Sequence, residues 1–289
     1  MRHEAHGRTL LVGCGKLGTR LGDRLVEAGG EVFALRRNTA ALPAAFSALP
    51  VDLRAPVERD LPTVDAMVVT LPPGGKAGLD QPDDYLASLK NLAAALPSTP
   101  RRVVLVSSTR VFEGRTDRRP LTEVDTPAPV TPRGKMLRNG ELLASELFDA
   151  HVVRPAGIYG PGREMLLRKV IEGTPVQYAK RTNRIHETDL IRTLETLLFA
   201  EDPPRILHAV DQTPASLGEV VTYIAHQLRV PPPPRIQPDE ASGTVLSGAR
   251  LRTVLGTLKY PTFRAGYGHI IATRDAQASP QARLARRDS

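Results

Sequence analysis

Residues 9–38 read TLLVGCGKLGTRLGDRLVEAGGEVFALRRN: a short apolar run, a glycine-rich turn, an amphipathic stretch and a second apolar run. Thr9 to Val12 predicts a strand buried on both faces. Leu17, Leu21 and Leu25 share one face of a helix predicted over 17–28, which Gly29 and Gly30 stop. Residues 31–35 supply the next strand. In this strand, turn, helix, strand setting, the GxGxxG spacing of Gly13, Gly15 and Gly18 is a dinucleotide-binding fingerprint. Gly13 allows the tight turn, Gly15 lets backbone approach a pyrophosphate, and Gly18 lets helix and strand pack closely. The start of the helix adds unpaired amides and a partial positive charge for phosphates.

Spacing also bears on which dinucleotide is read. An acid about 20 residues past the glycines would accept from the ribose 2′-hydroxyl, whereas an arginine there pairs with a 2′-phosphate. Arg36 stands at that distance, followed by Arg37, and no acid does. The expected cofactor is NADP, with NAD as the alternative. Asp52 either accepts from the adenine amino group or caps a turn. The turn LPPGG, residues 71–75, ends another strand on the carboxyl edge of the sheet, where ligands of open α/β sheets bind. The cofactor site is expected to comprise Gly13, Cys14, Gly15, Lys16, Leu17, Gly18, Arg36, Arg37, Asp52, Leu71, Pro72, Ser107 and Pro155. Small size accounts for Cys14 in the phosphate turn without any thiol chemistry.

The same alternation continues along the chain. Strands are predicted at 48–53, 66–71, 102–108, 151–157 and 206–210, and helices at 83–96, 135–149, 164–172, 187–200 and 216–228. Ser216 and Glu219 form a capping box, and the prolines at 231–234 force an extended linker. The fold class is α/β, a Rossmann-type doubly wound parallel sheet with a smaller C-terminal substrate lobe. Residues 1–154 form the NAD(P)-binding domain, 155–272 the substrate lobe plus returning Rossmann elements, and 273–289 a disordered tail.

The 289 residues, 41% hydrophobic and 24% charged, suffice for a sizeable core. A single cysteine excludes an internal disulfide framework, and no Cys/His cluster has metal-ligand spacing. No stretch approaches the roughly 18 to 20 apolar residues of a membrane span, so a cytoplasmic protein is expected. Its net charge of +8 is spread over scattered arginines and only 4% of residues are aromatic, which argues for an anionic small-molecule ligand over nucleic acid. A monomer or homodimer is expected, with a small-molecule substrate and neither nucleic acid nor membrane as partner.

GCGKLG (13–18), VVLVSSTRVFEG (103–114), VVRPAGIYGPGR (152–163), RIHETDL (184–190) and SGARLRTVLG (247–256) together carry a resemblance. The chain resembles extended short-chain dehydrogenase/reductases of the NAD-dependent epimerase/dehydratase superfamily, above all small bacterial members with shortened substrate domains. The resemblance implies a C-terminal lobe closing over the nicotinamide. It also implies a Ser or Thr, a Tyr and a Lys four positions later, with the tyrosinate exchanging the proton and the lysine lowering its pKa and holding the ribose. Carried over, the hydroxyl falls on Ser108, the tyrosine on Arg133 and the lysine on Leu137, anchored by Gly134 and Glu141. There is no tyrosine between Tyr85 and Tyr159. Thr131 with Lys135 keeps the lysine spacing, but an alcohol is far too weakly acidic to replace a phenol.

The usual acid/base pair is therefore missing, and three readings stand. In the first, an NADP-linked oxidoreductase or epimerase/dehydratase-like enzyme has an atypical active site, with catalytic candidates Ser108, Arg133 and His186. Arg110, Lys135 and Tyr159 are further proton-donor candidates. Arg133, with a pKa above about 12, would anchor a carboxylate or phosphate rather than move a proton. In the second, the protein binds NAD(P) without turnover and reports redox state to a partner. In the third, it is an assembly protein on an inherited fold. His186 suits proton transfer by pKa, yet stands just before a helix whose first turn contains Thr188 and Asp189. Tyr159 lies near the nicotinamide by the resemblance, or packs under the Gly-Pro turn. Arg163 faces substrate, pyrophosphate or solvent.

Overall fold

The computed structural model describes residues 7–72 and 82–277. In chain order the described elements are β1 (Arg8–Val12), α1 (Lys16–Glu27), β2 (Glu31–Arg36), β3 (Ser47–Pro50), β4 (Ala66–Val69), α2 (Pro82–Ala95), β5 (Arg102–Val106), α3 (Pro132–Phe148), β6 (His151–Pro155), β7 (Gly157–Tyr159), α4 (Met165–Ile171), β8 (Arg181–Thr182), β9 (Arg184–His186), α5 (Glu187–Phe199), β10 (Ile206–Ala209), β11 (Ala215–Ser216), α6 (Leu217–Leu228), α7 (Ala249–Leu255) and α8 (Phe263–Gln277). A 3-10 turn covers Thr109–Phe112.

Seven strands form one sheet in the order β3-β2-β1-β4-β5-β6-β10, and every pair in it is parallel. These are the strands read from the sequence, and the order is that of a doubly wound Rossmann sheet with a strand added. The chain reverses direction across the sheet between β1 and β4, and at such a switch point the loops part to leave a crevice. Each strand is buried twice. Leu11, Ala34, Val68, Val104, Val153 and Leu207 pack on Leu21 and Leu25 of α1, Leu194 and Leu198 of α5, and Leu251 of α7. Their neighbours Leu10, Leu35, Met67, Val69, Val103 and Leu105 pack on Tyr85, Leu89 and Leu92 of α2 and Ala144 and Phe148 of α3. Side chains alternate across a strand, so one apolar run fills both cores.

A further apolar cluster gathers Tyr159, Leu167, Val170, Ile224, Phe263 and Tyr267 from α4, α6, α8 and the end of β7. The predicted capping box is present: the Ser216 hydroxyl accepts from the Glu219 amide at 3.2 Å while Glu219 accepts from the Ser216 amide at 2.8 Å. The polyproline run is a strap rather than a free linker, since the Val176 amide donates to the Pro234 carbonyl at 3.0 Å. At the C-terminus the sequence expectation is corrected, because α8 continues to Gln277 where disorder from 273 was expected. Its buried face, Phe263, Tyr267, Ile270 and Ile271, ends before 273, and the following residues carry no apolar period to mark the helix; Arg274 ties this last stretch to Glu164 at 3.1 Å. Residues 278–289 of the expected tail lie outside the described residues, as do 73–75 of the LPPGG turn. No helix among the described residues is long and apolar enough to cross a membrane.

Candidate functional site

The glycine turn is where its spacing placed it, between β1 and α1 at the switch point. Gly13 has φ +76°, and a Cβ there would stand 3.1 Å from Leu71, so both conformation and space call for glycine. A Cβ on Gly18 would come within 3.2 Å of Cys14 Sγ, the close contact of helix and turn. Gly15 differs: a Cβ there would meet nothing nearer than the Gly13 carbonyl at 3.8 Å. The protein's own packing gives no reason for glycine at 15. The backbone faces open cleft, as a cradle for a bulky group does. Gly15 also starts α1 without a side-chain cap, leaving first-turn amides free for an anion.

A cleft of about 300 Å³ opens from this turn, lined by Gly13, Cys14 and Gly15, by Leu35 to Asn38 at the end of β2, by Val51 to Arg54 after β3, and by Leu71 and Pro72 after β4. Asp84, Tyr85 and Ser88 of α2 complete it. Arg36 donates through Nη1 to the Cys14 carbonyl at 3.1 Å, which brings its guanidinium against the phosphate turn, while Arg37 is exposed at the rim. Of the two roles expected for Asp52, the structure shows the turn cap. Its Oδ1 accepts from the Arg54 amide at 3.1 Å, capping the turn, and its carboxylate pairs with the Arg54 guanidinium at 2.5 Å within the cleft lining. Arg54 holds the Asp52 carboxyl below the usual carboxylate range. Cys14 is fully buried, its thiol pushed up by desolvation, so it is an uncharged wall of the turn. Leu17 turns its side chain into the core and does not line the cleft.

The GPGR turn at 160–163 docks on the start of α1. Lys16 Nζ donates to the Gly162 carbonyl at 3.2 Å, and Arg20 donates to the Pro161 carbonyl at 3.1 Å. The fully buried Glu187 takes Arg20 at 2.5 Å and Arg163 at 2.8 Å. Arg163 is thereby committed to a clamp that ties this turn to α1 and α5.

The residues aligned with the missing acid/base set are spread over different jobs. Ser108 Oγ is half-buried and accepts from the Arg110 amide at 3.2 Å, which leaves its own hydrogen free. Ser107 is buried and donates to Glu141 at 2.7 Å. That carboxylate also takes the fully buried Arg154 at 2.8 and 2.9 Å and Arg138 at 2.9 Å, so the Glu141 anchor holds α3 to β5 and β6. Pro155, next to Arg154, is buried at the end of β6. Arg133 is exposed in the first turn of α3. Leu137 is buried with Val111, Phe112, Leu121 and Ala156, so an apolar pocket stands at the lysine position. Thr131 caps α3: its hydroxyl accepts from the Gly134 amide at 3.1 Å and donates to Glu113 at 2.5 Å. Lys135 is exposed beside it.

His186 is only 1% exposed. Its Nδ1 accepts from the Thr188 amide at 3.2 Å, making it the N-cap of α5, and its ring packs on Tyr260 and Tyr159 with centroids 3.8 and 5.2 Å away. Burial pushes its pKa down to about 4, so the imidazole is neutral with its proton on Nε2, an atom that has no hydrogen-bond partner. Asp189 in the same turn accepts from the Lys259 and Tyr260 amides at 2.7 and 2.8 Å. Tyr159 is 3% exposed, stacked on Tyr267, and desolvation drives its hydroxyl well above the ordinary phenol range. Neither ring is poised as a proton shuttle. The cleft gathers the cofactor candidates at 13–15, 36, 37, 52, 71 and 72, but none of Ser108, Arg133 or His186 lines it. Sequence reasoning missed Tyr85, Asp84, Ser88 and Arg54 in its wall. Among the described residues no group of His, Cys, Asp and Glu is arranged to hold a metal.

Comparison with known proteins fits this architecture. No protein-family model matches the chain, and no curated protein does. Among solved structures, a Methylobacillus flagellatus protein assigned to the NAD-dependent epimerase/dehydratases is 27% identical, with a TM-score of 0.78 over 92% of this chain and 98% of its own. A Silicibacter pomeroyi protein of unknown function is 24% identical, with a TM-score of 0.74 over 92% and 99%. UDP-glucuronic acid 4-epimerase from Bacillus cereus, solved with UDP-glucuronic acid and NAD, is 14% identical, with a TM-score of 0.73 over 94% and 100%. Fold, strand order and these neighbours place the chain structurally with the NAD-dependent epimerase/dehydratase members of the extended short-chain dehydrogenase/reductases.

Proposed function

We propose that the chain binds NADP(H) and acts as an epimerase/dehydratase-like oxidoreductase on a small anionic or sugar-related substrate, through an active site in which Arg133 stands in place of the usual tyrosine. The observation that carries this reading is the single cleft that joins the uncapped start of α1, the open approach at Gly15, and the arginines at the end of β2. The first two suit a pyrophosphate; Arg36 and Arg37 suit a 2′-phosphate, for which no acid competes at the end of β2. That the Bacillus cereus epimerase carries NAD supports a nicotinamide dinucleotide in the same place.

When bound, the nicotinamide supplies a hydride acceptor or donor. The residues that the resemblance aligns with the usual site divide the remaining work. Ser108, whose hydroxyl hydrogen is free, donates to a substrate oxygen. Arg133, exposed at the start of α3, pairs with a substrate carboxylate or phosphate; a guanidinium with a pKa above about 12 holds anions rather than moving protons. His186 fixes the start of α5 and Tyr159 the packing of α8. A non-catalytic dinucleotide-binding role is the second reading, favoured by the buried Leu137 at the lysine position.

Binding tests the cofactor assignment. Arg36→Ala with Arg37→Ala should weaken NADP(H) by about 2–4 kcal/mol, from some thirtyfold to several hundredfold, and leave NAD(H) nearly unchanged. Equal losses for both cofactors would remove the 2′-phosphate role.

A further inference from the structure

At the opposite, amino-terminal edge of the sheet lies a second depression of about 900 Å³, walled by the first residues of β5 and β6, by the segment 200–205 that leads into β10, and by residues of α3, α5 and α7. Four arginines face it: Arg101 and Arg102 at the start of β5, Arg205 just before β10, and Arg250 of α7. Arg102 is only 8% exposed, and its hydrogen-bond partners are all neutral. It donates through Nη1 to His151 Nε2 at 2.8 Å and through Nη2 to the Ala200 carbonyl at 2.9 Å. His151 Nδ1 stands 3.1 Å from the Pro204 carbonyl and must donate to it, so Nε2 is the acceptor for Arg102 and the imidazole is neutral. A buried guanidinium normally meets a carboxylate; this one has only a ring nitrogen, carbonyls and an Nε without a partner.

The remaining charges give the sign of the field. Arg205 is occupied by Asp149, through its carboxylate at 2.7 Å and its carbonyl at 2.8 Å, which also satisfies the end of α3. Glu201 and Asp202 stand on the same rim. Burial, then Arg101 and Arg205, push the Arg102 pKa down while Asp202 raises it, and the lining as a whole sets four arginines against three carboxylates, Asp149, Glu201 and Asp202. Burial, Arg102 and Arg205 likewise push His151 down, against the pull of the Pro204 carbonyl and Asp149. Arg101 and Arg250 are exposed and make no ion pair among the described residues.

We propose that this depression binds a small metabolite through a phosphate or carboxylate group, which Arg101 and Arg250 grip while Arg102 supplies a fixed buried charge. Guanidinium forks match both oxyanions, and a volume of about 900 Å³ lies in the range of small-molecule sites. Because it opens at the amino ends of the strands, it is separate from the cleft at their carboxyl ends.

The test is calorimetric titration of the full chain, saturated with NADPH, with inorganic pyrophosphate and with citrate at low ionic strength, repeated on Arg101→Gln/Arg250→Gln. Both side chains are exposed, so the variant keeps its fold and its affinity for NADPH. One anion should bind at a one-to-one ratio below millimolar concentration, and the variant should lose at least tenfold; which anion it is distinguishes phosphate from carboxylate ligands. If neither anion binds at 5–10 times millimolar, roughly the range where even weak guanidinium pairs register, or if the variant binds as tightly as the parent, the proposal fails. Without NADPH pyrophosphate also enters the dinucleotide cleft, and the parent-to-variant difference alone is then assigned to this depression, so failure of the dinucleotide reading and failure of this one remain distinguishable.

Discussion

Asp211 shows how a single buried residue can set a pH dependence. It is 2% exposed at the end of β10, its Oδ2 has no hydrogen-bond partner, and desolvation raises its pKa to about 7 against the pull of Arg184. In the unfolded chain an aspartate titrates near about 3.9. The folded state therefore holds a proton that the unfolded state has lost between these values. Its contribution to stability is complete below about pH 4 and disappears as pH rises to about 7, by at most about 4 kcal/mol. Asp211→Asn keeps an oxygen for the Thr213 amide and removes the titration. Urea midpoints should match the parent at pH 4 and exceed it at pH 8; a variant less stable than the parent at pH 8 would contradict the burial argument. His186 and His208, pushed down by burial to about 4 and about 3, titrate in the opposite sense and cancel in the comparison.

At the scale of the element, the turn from β1 to α1 separates packing from binding. A Cβ on Gly22 would run into the Phe46 ring and one on Gly13 into Leu71, but a Cβ on Gly15 meets open cleft. Gly15→Ala should thus leave the unfolding midpoint unchanged while weakening NADPH binding tenfold or more, read by fluorescence titration. Unaltered affinity would mean that no ligand comes close to that backbone. Elements also explain what the sequence made legible. All seven sheet strands could be read because parallel strands buried on both faces leave uninterrupted apolar runs. The short pairs β7 with β9 and β8 with β11 could not, since two or three residues carry no period. In the cleft, Gly13 and Gly15 were legible as the fingerprint itself, Arg36 by its distance past it, and Asp52 by its place after the third strand. Tyr85 and Ser88 were not: they read as an ordinary apolar face of α2, and only the docking of α2 across β1 and β4 turns part of that face toward the cleft. His186 was misleading for a related reason. Its residue type suggests proton transfer and its place before α5 suggests a cap, which the Thr188 amide confirms two residues on; its burial against Tyr260 depends on a contact distant in sequence.

On the scale of the whole molecule, the two edges of one sheet carry different charge environments. At the carboxyl edge, helix amides, Arg36 and Arg37 surround a cleft shaped by glycines; at the amino edge, arginines gather around a buried guanidinium that no carboxylate neutralises. Part of the positive charge is gathered at these edges, Arg36 and Arg37 at one and Arg101, Arg102, Arg205 and Arg250 at the other. The central claim concerns the carboxyl edge, and calorimetric titration of the purified chain with NADPH, NADP, NADH and NAD tests it most directly. NADPH and NADP should bind at least tenfold more tightly than NADH and NAD. Tighter binding of NADH and NAD, or no binding of any of the four, would contradict the account.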